Sequence, residues 1–302
     1  MSTSGDVRLG RPSLLRRLVG GAPERGSARS IAVVSGKGGT GKSVLSAALA
    51  YREVAGGGRA LVFDIDFGVG NAHILQGLVA ERTVAHVMLG RCALEQVAAV
   101  APTGVRVIPG GSGVAGLSTP SWLQLRLLAR GFPALEERCD LLLLDGPAGV
   151  ADSAVLLAGC ADVVVVVTTP DVTAMTDAYA WIKVSTLRDP DARIGIVVNR
   201  ARDLAEAEAA AARIRGVAQR FLERDVPCFG FLPDDPAVVE SVARRRPFPL
   251  THPESPVTAA LEPVARAIED AAPPTGSYGR RLEQALAAAE GRDTTSTLLP
   301  PA

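Results

Sequence analysis

The chain has 302 residues, 47% of them hydrophobic, and its 32 Lys and Arg are balanced by 32 Asp and Glu. That composition supplies one large core or two modest ones, and a surface without net charge excludes broad attraction to polyanions, so no sequence-specific nucleic-acid partner is expected. Four separated cysteines (Cys92, Cys139, Cys160, Cys228) and three scattered histidines (His73, His86, His252) argue against a disulfide framework and against a metal site built on cysteine or histidine.

Residues 1–29 precede the first strand-like run and form a basic N-terminal arm rich in Arg, Gly, Ser and Pro. Residues 1–30 hold six arginines against Asp6 and Glu24. Ser13 can cap a short helix in which Leu14, Leu15, Leu18 and Val19 share a face flanked by Arg16 and Arg17. Such an arm suits an anionic membrane surface, the acidic face of a protein partner, or packing of its leucines on the body of the chain.

The apolar stretch Ile31–Val34 then feeds into Gly36-Lys37-Gly38-Gly39-Thr40-Gly41-Lys42-Ser43, followed by the helical run Val44–Val54. This order of strand, G-x-x-x-x-G-K-S loop and helix predicts a phosphate cradle. Its bare backbone N–H groups surround the phosphates, Lys42 contacts the β and γ oxygens, and the Ser43 hydroxyl binds Mg²⁺. One lysine suffices for that task. The second, Lys37, stands where any small residue would satisfy the turn, and its charge points to a phosphate held by a neighbouring subunit.

Ala60–Phe63 leads to Asp64-Ile65-Asp66, two carboxylates at the strand end. Asp66 is the candidate for positioning the attacking water and Asp64 a second candidate metal ligand, with capping of the next turn as the alternative. Val105–Ile108 is the next apolar run. Leu141–Leu144 ends in Asp145, read as the Mg²⁺-linked acid, and Gly146-Pro147-Ala148-Gly149 as a segment that senses the γ-phosphate. Val163–Val167 and Ile194–Val198 complete a set of short apolar runs without polar alternation, as expected of strands covered on both faces. Tyr179–Leu187, Leu204–Leu222 and Pro256–Ile268 read as helices. The predicted fold is α/β, a doubly wound, mainly parallel sheet over 30–271 with its ligand at the carboxyl ends of the strands. Residues 272–302 open with Pro273-Pro274-Thr275-Gly276 and read as a C-terminal tail with one short helix, Tyr278–Gly291. No apolar run is long enough to span a membrane and no signal-peptide core is present, so a soluble cytoplasmic protein is expected.

Lys37–Ser43, Asp64-Ile65-Asp66 and Asp145-Gly146-Pro147-Ala148-Gly149 resemble the deviant Walker A loop and two switches of the MinD/ParA family of P-loop ATPases. Val167–Asp171, Thr176–Lys183, Val197-Val198-Asn199-Arg200 and His252–Pro256 resemble its FlhG (FleN/YlxH) branch, which regulates flagellar number and placement. The resemblance implies slow ATP hydrolysis with Mg²⁺ and an ATP-dependent homodimer in which Lys37 reaches the partner's phosphates. It also implies that Asn199 reads the adenine, with Pro233 and Asp234 lining the base, and that a FlhF-type GTPase or a flagellar basal-body protein is the partner. The second switch is nearer the MinD form, and the arm lacks the Asp-Gln-Ala signature of the branch.

These features predict an ATPase cycling between a monomer and a dimer, cytoplasmic with reversible peripheral association at the inner membrane. Another spatial positioner, for the division site, chromosome or a secretion machine, and a nucleotide-locked scaffold with little turnover are the alternatives. A redox enzyme using the same loop would need paired cluster cysteines, which are absent.

Overall fold

The computed structural model describes residues 28–111 and 118–296. The predicted arm helix at Leu14–Val19 lies outside the described residues.

Eight strands form one sheet: β1 (Arg29–Ser35), β2 (Ala60–Asp64), β3 (Ala99–Val100), β4 (Arg106–Ile108), β5 (Leu141–Ala148), β6 (Val163–Thr168), β7 (Ile194–Ala201) and β8 (Cys228–Pro233). Their order is β3-β4-β2-β5-β1-β6-β7-β8, parallel throughout except for the antiparallel edge pair β3–β4. The helices are α1 (Lys42–Ala55), α2 (Val84–Met88), α3 (Trp122–Glu136), α4 (Asp152–Gly159), α5 (Val172–Arg188), α6 (Leu204–Leu222), α7 (Pro236–Ala243), α8 (Phe248–Thr251), α9 (Pro256–Ala271) and α10 (Tyr278–Ser296).

The apolar strand runs explain the layering. Successive side chains of a strand point to opposite faces, so Ile31 and Val33 join the core under α1 and α9, while Ala32 and Val34 join the core under α3, α4, α5 and α6. The four leucines of β5 divide the same way. Both faces are therefore dry, as a parallel sheet requires. All six predicted strand runs are strands, and α6 has the predicted bounds.

Two strands and several helices were not expected, for identifiable reasons. β3 is only two residues long, and β8 is interrupted by Gly230, which sits at φ +130° against Val264. α3 contains Gly131 and Pro133, both unfavourable inside helices. It forms because Leu125, Leu128, Phe132 and Leu135 are buried, and Gly131 lets it approach Leu94, where a Cβ would come within 2.5 Å.

The largest difference from expectation is at the C-terminal end. The segment read as a tail with a short helix carries the 19-residue α10, and its first turns are part of the core. Tyr278, Leu282 and Leu286, spaced four apart on one face, are fully buried. The Tyr278 ring meets Phe132 edge-on at 4.9 Å, and Phe132 meets Phe63 at 5.1 Å. The Tyr278 hydroxyl donates to the Leu157 carbonyl at 3.1 Å, and its backbone N–H donates to Glu136. Just before the helix, the Thr275 N–H donates to the buried Asp162 carboxylate, which also pairs with Arg281 at 3.2 Å. The segment's Ala, Leu, Arg, Glu and Gln favour a helix by themselves, and the Tyr278, Leu282 and Leu286 face docks that helix into the core. Leu282→Ala is expected to destabilise the protein by about 2–5 kcal/mol, the usual cost of a buried Leu truncation. Urea unfolding checks it, and a loss below about 0.5 kcal/mol would show that α10 is not part of the cooperative unit.

Candidate functional site

Strand order places β1 between β5 and β6, so the loop leaving β1 emerges at the centre of the sheet's carboxyl edge. Gly36–Gly41 turn there and α1 starts at Lys42. Gly39 and Gly41 hold φ of +81° and +91°, conformations that strain any residue with a Cβ. A Cβ at Gly41 would also lie 2.1 Å from the Asn199 amide. The loop and helix N-terminus therefore present backbone N–H groups in an arrangement that favours an anion. The Thr40 hydroxyl is buried without a hydrogen-bond partner, an orphaned polar atom inside the loop that a phosphate-bearing ligand would accommodate.

The two lysines part company. Lys42 begins α1, and its charge acts favourably on the Asp145 carboxylate. Lys37 is exposed and turned away: its Nζ donates to Thr173 Oγ1 at 2.6 Å and lies 3.5 Å from Asp171 Oδ1. Asp171 caps α5 by accepting from the Ala174 N–H. Hydroxyls of Thr169 and Thr173, that N–H, and to a lesser degree Lys37 hold its carboxyl well below the usual carboxylate range. The sequence reading gave neither Asp171 nor Thr173 a role; a Pro-Asp-Val-Thr start to a helix was the available signal.

The two strand-end carboxylates are direct neighbours, with Asp64 paired to Asp145 across β2 and β5. Both are buried. Burial, then for Asp64 the Asp145 charge, raises both above ordinary carboxylate values, Asp145 to about 6. Hydrogen bonds from Ser43 and Ser46 and the Lys42 charge work against that rise at Asp145. Ser46 Oγ lies 3.0 Å from Asp145 Oδ1; this second serine, one turn beyond Ser43, was missed, and its spacing from Lys42 was the signal.

Asp64 turns inward. Its Oδ1 accepts from the Asp66 N–H at 3.0 Å and its Oδ2 from the Ala72 N–H at 3.0 Å. Gly70 and Gly110 leave room for it. Asp64 thus braces the loop carrying Asp66. Asp66 itself is half-buried, and its Oδ1 accepts from the Gly68 and Val69 N–H groups at 3.1 Å each, closing the turn anticipated as its alternative role.

Ser43 and Asp145 together offer a hydroxyl and a carboxylate oxygen. This hard donor set fits Mg²⁺, which takes one or two protein oxygens and completes its shell with phosphate and water. A dication would also offset the mutual repulsion of Asp64 and Asp145. No group of three or more His, Cys, Asp or Glu converges among the described residues, and Mg²⁺ held with a nucleotide needs none.

Asn199, Pro233 and Asp234, distant in sequence, meet at the carboxyl ends of β7 and β8, where Ala201 pairs with Pro233 and the Asp234 N–H donates to the Ala201 carbonyl. The Asn199 amide donates to the Thr40 carbonyl at 2.7 Å. Asn199 therefore braces the phosphate loop, a role that the sequence did not disclose.

Comparison with known proteins agrees with this geometry. The family model of the CobQ/CobB/MinD/ParA nucleotide binding domain matches residues 31–248. The antiactivator FleN of Pseudomonas aeruginosa is 34% identical over 239 residues, covering 79% of this chain and 85% of FleN. The flagellum site-determining protein YlxH of Helicobacter pylori is 34% identical over 162 residues, 54% of this chain and 55% of YlxH. Among solved structures, the cell division ATPase MinD of Pyrococcus furiosus superposes with a TM-score of 0.68 at 27% identity, over 81% of this chain and all of that one. MinD of Pyrococcus horikoshii, solved with Mg-ADP, superposes with a TM-score of 0.67 at 25% identity, over 80% and 96% of the two chains. With the phosphate loop, the paired strand-end carboxylates and the sheet order already in place, the match over most of the chain makes this protein a member of the MinD/ParA family of nucleotide-binding P-loop proteins.

Proposed function

We propose that this chain is a slow switch ATPase that alternates between a monomer and an ATP-held homodimer and regulates the number and placement of flagella. The observation that carries the switch reading is the separation of the two loop lysines. Lys42 starts the helix that closes the cradle, whereas Lys37 lies on an exposed face against Thr173, and this separation supports a role for Lys37 at the phosphates of a second copy. FleN and YlxH, the flagellar proteins to which the chain is similar, support the flagellar cargo.

In this reading, Gly36–Gly41 and the α1 N-terminus bind the phosphates, Lys42 neutralises the β and γ oxygens, and Asn199 holds the loop while it and Pro233-Asp234 border the base. Ser43 and Asp145 hold Mg²⁺, with Asp64 behind them bracing the first switch. When bound, the ion neutralises charge on the phosphates. Asp66 orients the water that attacks the γ-phosphate.

The partner is a FlhF-type GTPase or a basal-body protein, and the N-terminal arm binds an anionic membrane surface. No helix among the described residues is long and apolar enough to cross a membrane. Leu14, Leu15, Leu18 and Val19 would contribute at most roughly 6–12 kcal/mol if fully buried. Helix ordering and shallow insertion consume much of this, so one arm binds weakly and two arms on an ATP dimer bind firmly. Co-sedimentation with anionic liposomes is expected to require ATP and residues 1–22, and to weaken in high salt. Equal sedimentation of a truncated chain, or indifference to nucleotide, would transfer the arm to a protein partner. Counting flagella in a deletion strain tests the cargo: a changed number or position is expected, whereas misplaced septa with normal flagella would favour the division-site reading raised by the MinD structures.

A further inference from the structure

Helix α5 touches the nucleotide site on one face at three successive turns. Near its start, Thr173 and Asp171 hold Lys37. At Asp177 its backbone passes so close to Gly36 that a Cβ there would lie 2.3 Å from the Asp177 carbonyl oxygen. One turn later comes Trp181, fully buried, whose indole N–H points at two backbone carbonyls, 3.1 Å from Ser35 O and 2.7 Å from Gly149 O.

Those carbonyls belong to two different segments of the site. Ser35 is the last residue before the phosphate loop, and Gly149, at φ +90°, closes the Asp145–Gly149 switch. The Gly149 N–H also donates to Ser35 O at 3.1 Å. The switch glycine is thus stitched to the loop entrance twice, through its own N–H and through the indole. An indole has a single donor and no acceptor. It can share that donor between two carbonyls and keep one when the other leaves. Ser35 ends β1 in register with Ala148 of β5, whereas Gly149 lies beyond the end of β5 at φ +90°, so Gly149 is the partner able to leave.

We propose that Trp181 is a positioning residue that latches the second switch onto the entrance of the phosphate loop, and that ATP opens this latch while ADP leaves it closed. This rests on the ATP-switch reading above, in which the Gly149 segment answers the γ-phosphate. For the Gly149 N–H to turn toward a γ-phosphate, it must release Ser35 O, and its carbonyl then leaves the indole. The indole passes from two acceptors to one, so the latch sets how much ATP is needed for the dimer and Trp181 reports its state.

Trp122 is the other tryptophan, so a Trp122→Phe protein leaves Trp181 as the sole indole. Its emission is expected to change with Mg²⁺ and the slowly hydrolysed analogue ATPγS, and to stay as in the free protein with Mg²⁺ and ADP. Trp181→Phe is expected to lower the ATPγS concentration for half-maximal dimerisation about 3- to 10-fold, the effect of one lost hydrogen bond, with ADP affinity within about twofold of the parent. Replacing Trp181 with benzothienylalanine, which keeps the ring volume without the N–H, is expected to do the same. Emission identical in ATPγS and ADP overturns the proposal. So does a variant that shifts both nucleotides equally, shifts neither, or needs more ATPγS, since each marks a packing role. If Trp181→Phe does not fold, the emission arm decides. An emission response to ATPγS in a parent that never dimerises would sink the dimer reading and leave the latch standing; a dimerising parent with silent emission would sink the latch alone.

Discussion

Asp66→Ala is expected to slow ATP turnover by about 100-fold or more, while ATP still binds and still drives dimerisation. A group that positions the attacking water contributes on this scale to the rate and nothing to the phosphate cradle. The dimer should therefore persist rather than cycle. The structure adds a control, because the Asp66 carboxylate also caps the Gly68 and Val69 N–H groups. Asp66→Asn retains an oxygen for both N–H groups but loses the negative charge. If the role is chemical, Asn is as inactive as Ala. Phosphate-release kinetics near the parent rate for Asn would reduce Asp66 to a turn cap, and rates within about twofold of the parent for Ala would remove it from the mechanism.

The two loop lysines are expected to fail differently. Lys42→Ala removes a charged contact to phosphate in its own subunit, and such contacts contribute about 1.5–3 kcal/mol each, so ATP affinity should fall about 10- to 100-fold. Lys37→Ala should bind ATP within about threefold of the parent yet form no ATP-dependent dimer. Leaving Asp171 and Thr173 is no obstacle for Lys37. The contact is about half exposed, and an exposed ion pair is worth about 0–1 kcal/mol, less than a phosphate contact buried between two subunits returns. Nucleotide titration beside light scattering reads both effects. A Lys37→Ala protein that dimerises normally would end the trans assignment.

The Trp181 latch and these lysines share a scaffold. α5 carries Asp171, Thr173 and Trp181, so one helix restrains Lys37, the loop entrance and the second switch together. In the proposed cycle, a nucleotide that displaces one restraint would change the support of the others.

How much of this was legible differs by element. The strand runs and the phosphate loop announce themselves because their causes are local. A parallel strand needs an unbroken apolar run, and a phosphate cradle needs glycines at positive φ followed by Lys-Ser at a helix start. Asp64, Asp66 and Asp145 were found for the same reason, as acids terminating such runs. What their carboxylates do was not legible. Asp64 looks inward because it pairs with Asp145 across two strands and accepts N–H groups from the loop after it, facts set by strand order.

The sequence by itself determined the fold class and the family, and it located the glycine-rich loop between β1 and α1, since each depends on residues adjacent in the chain. Only the tertiary structure decided that α10 belongs to the core, that Asn199 braces Thr40, that Lys37 rests on Asp171 and Thr173, and that Trp181 joins Ser35 to Gly149. Each of these joins residues far apart in sequence through a buried face or one or two polar contacts. No local pattern encodes which distant carbonyl an amide or indole will meet; that is settled when the sheet sets the ends of β5, β1, β6 and β7 in one row.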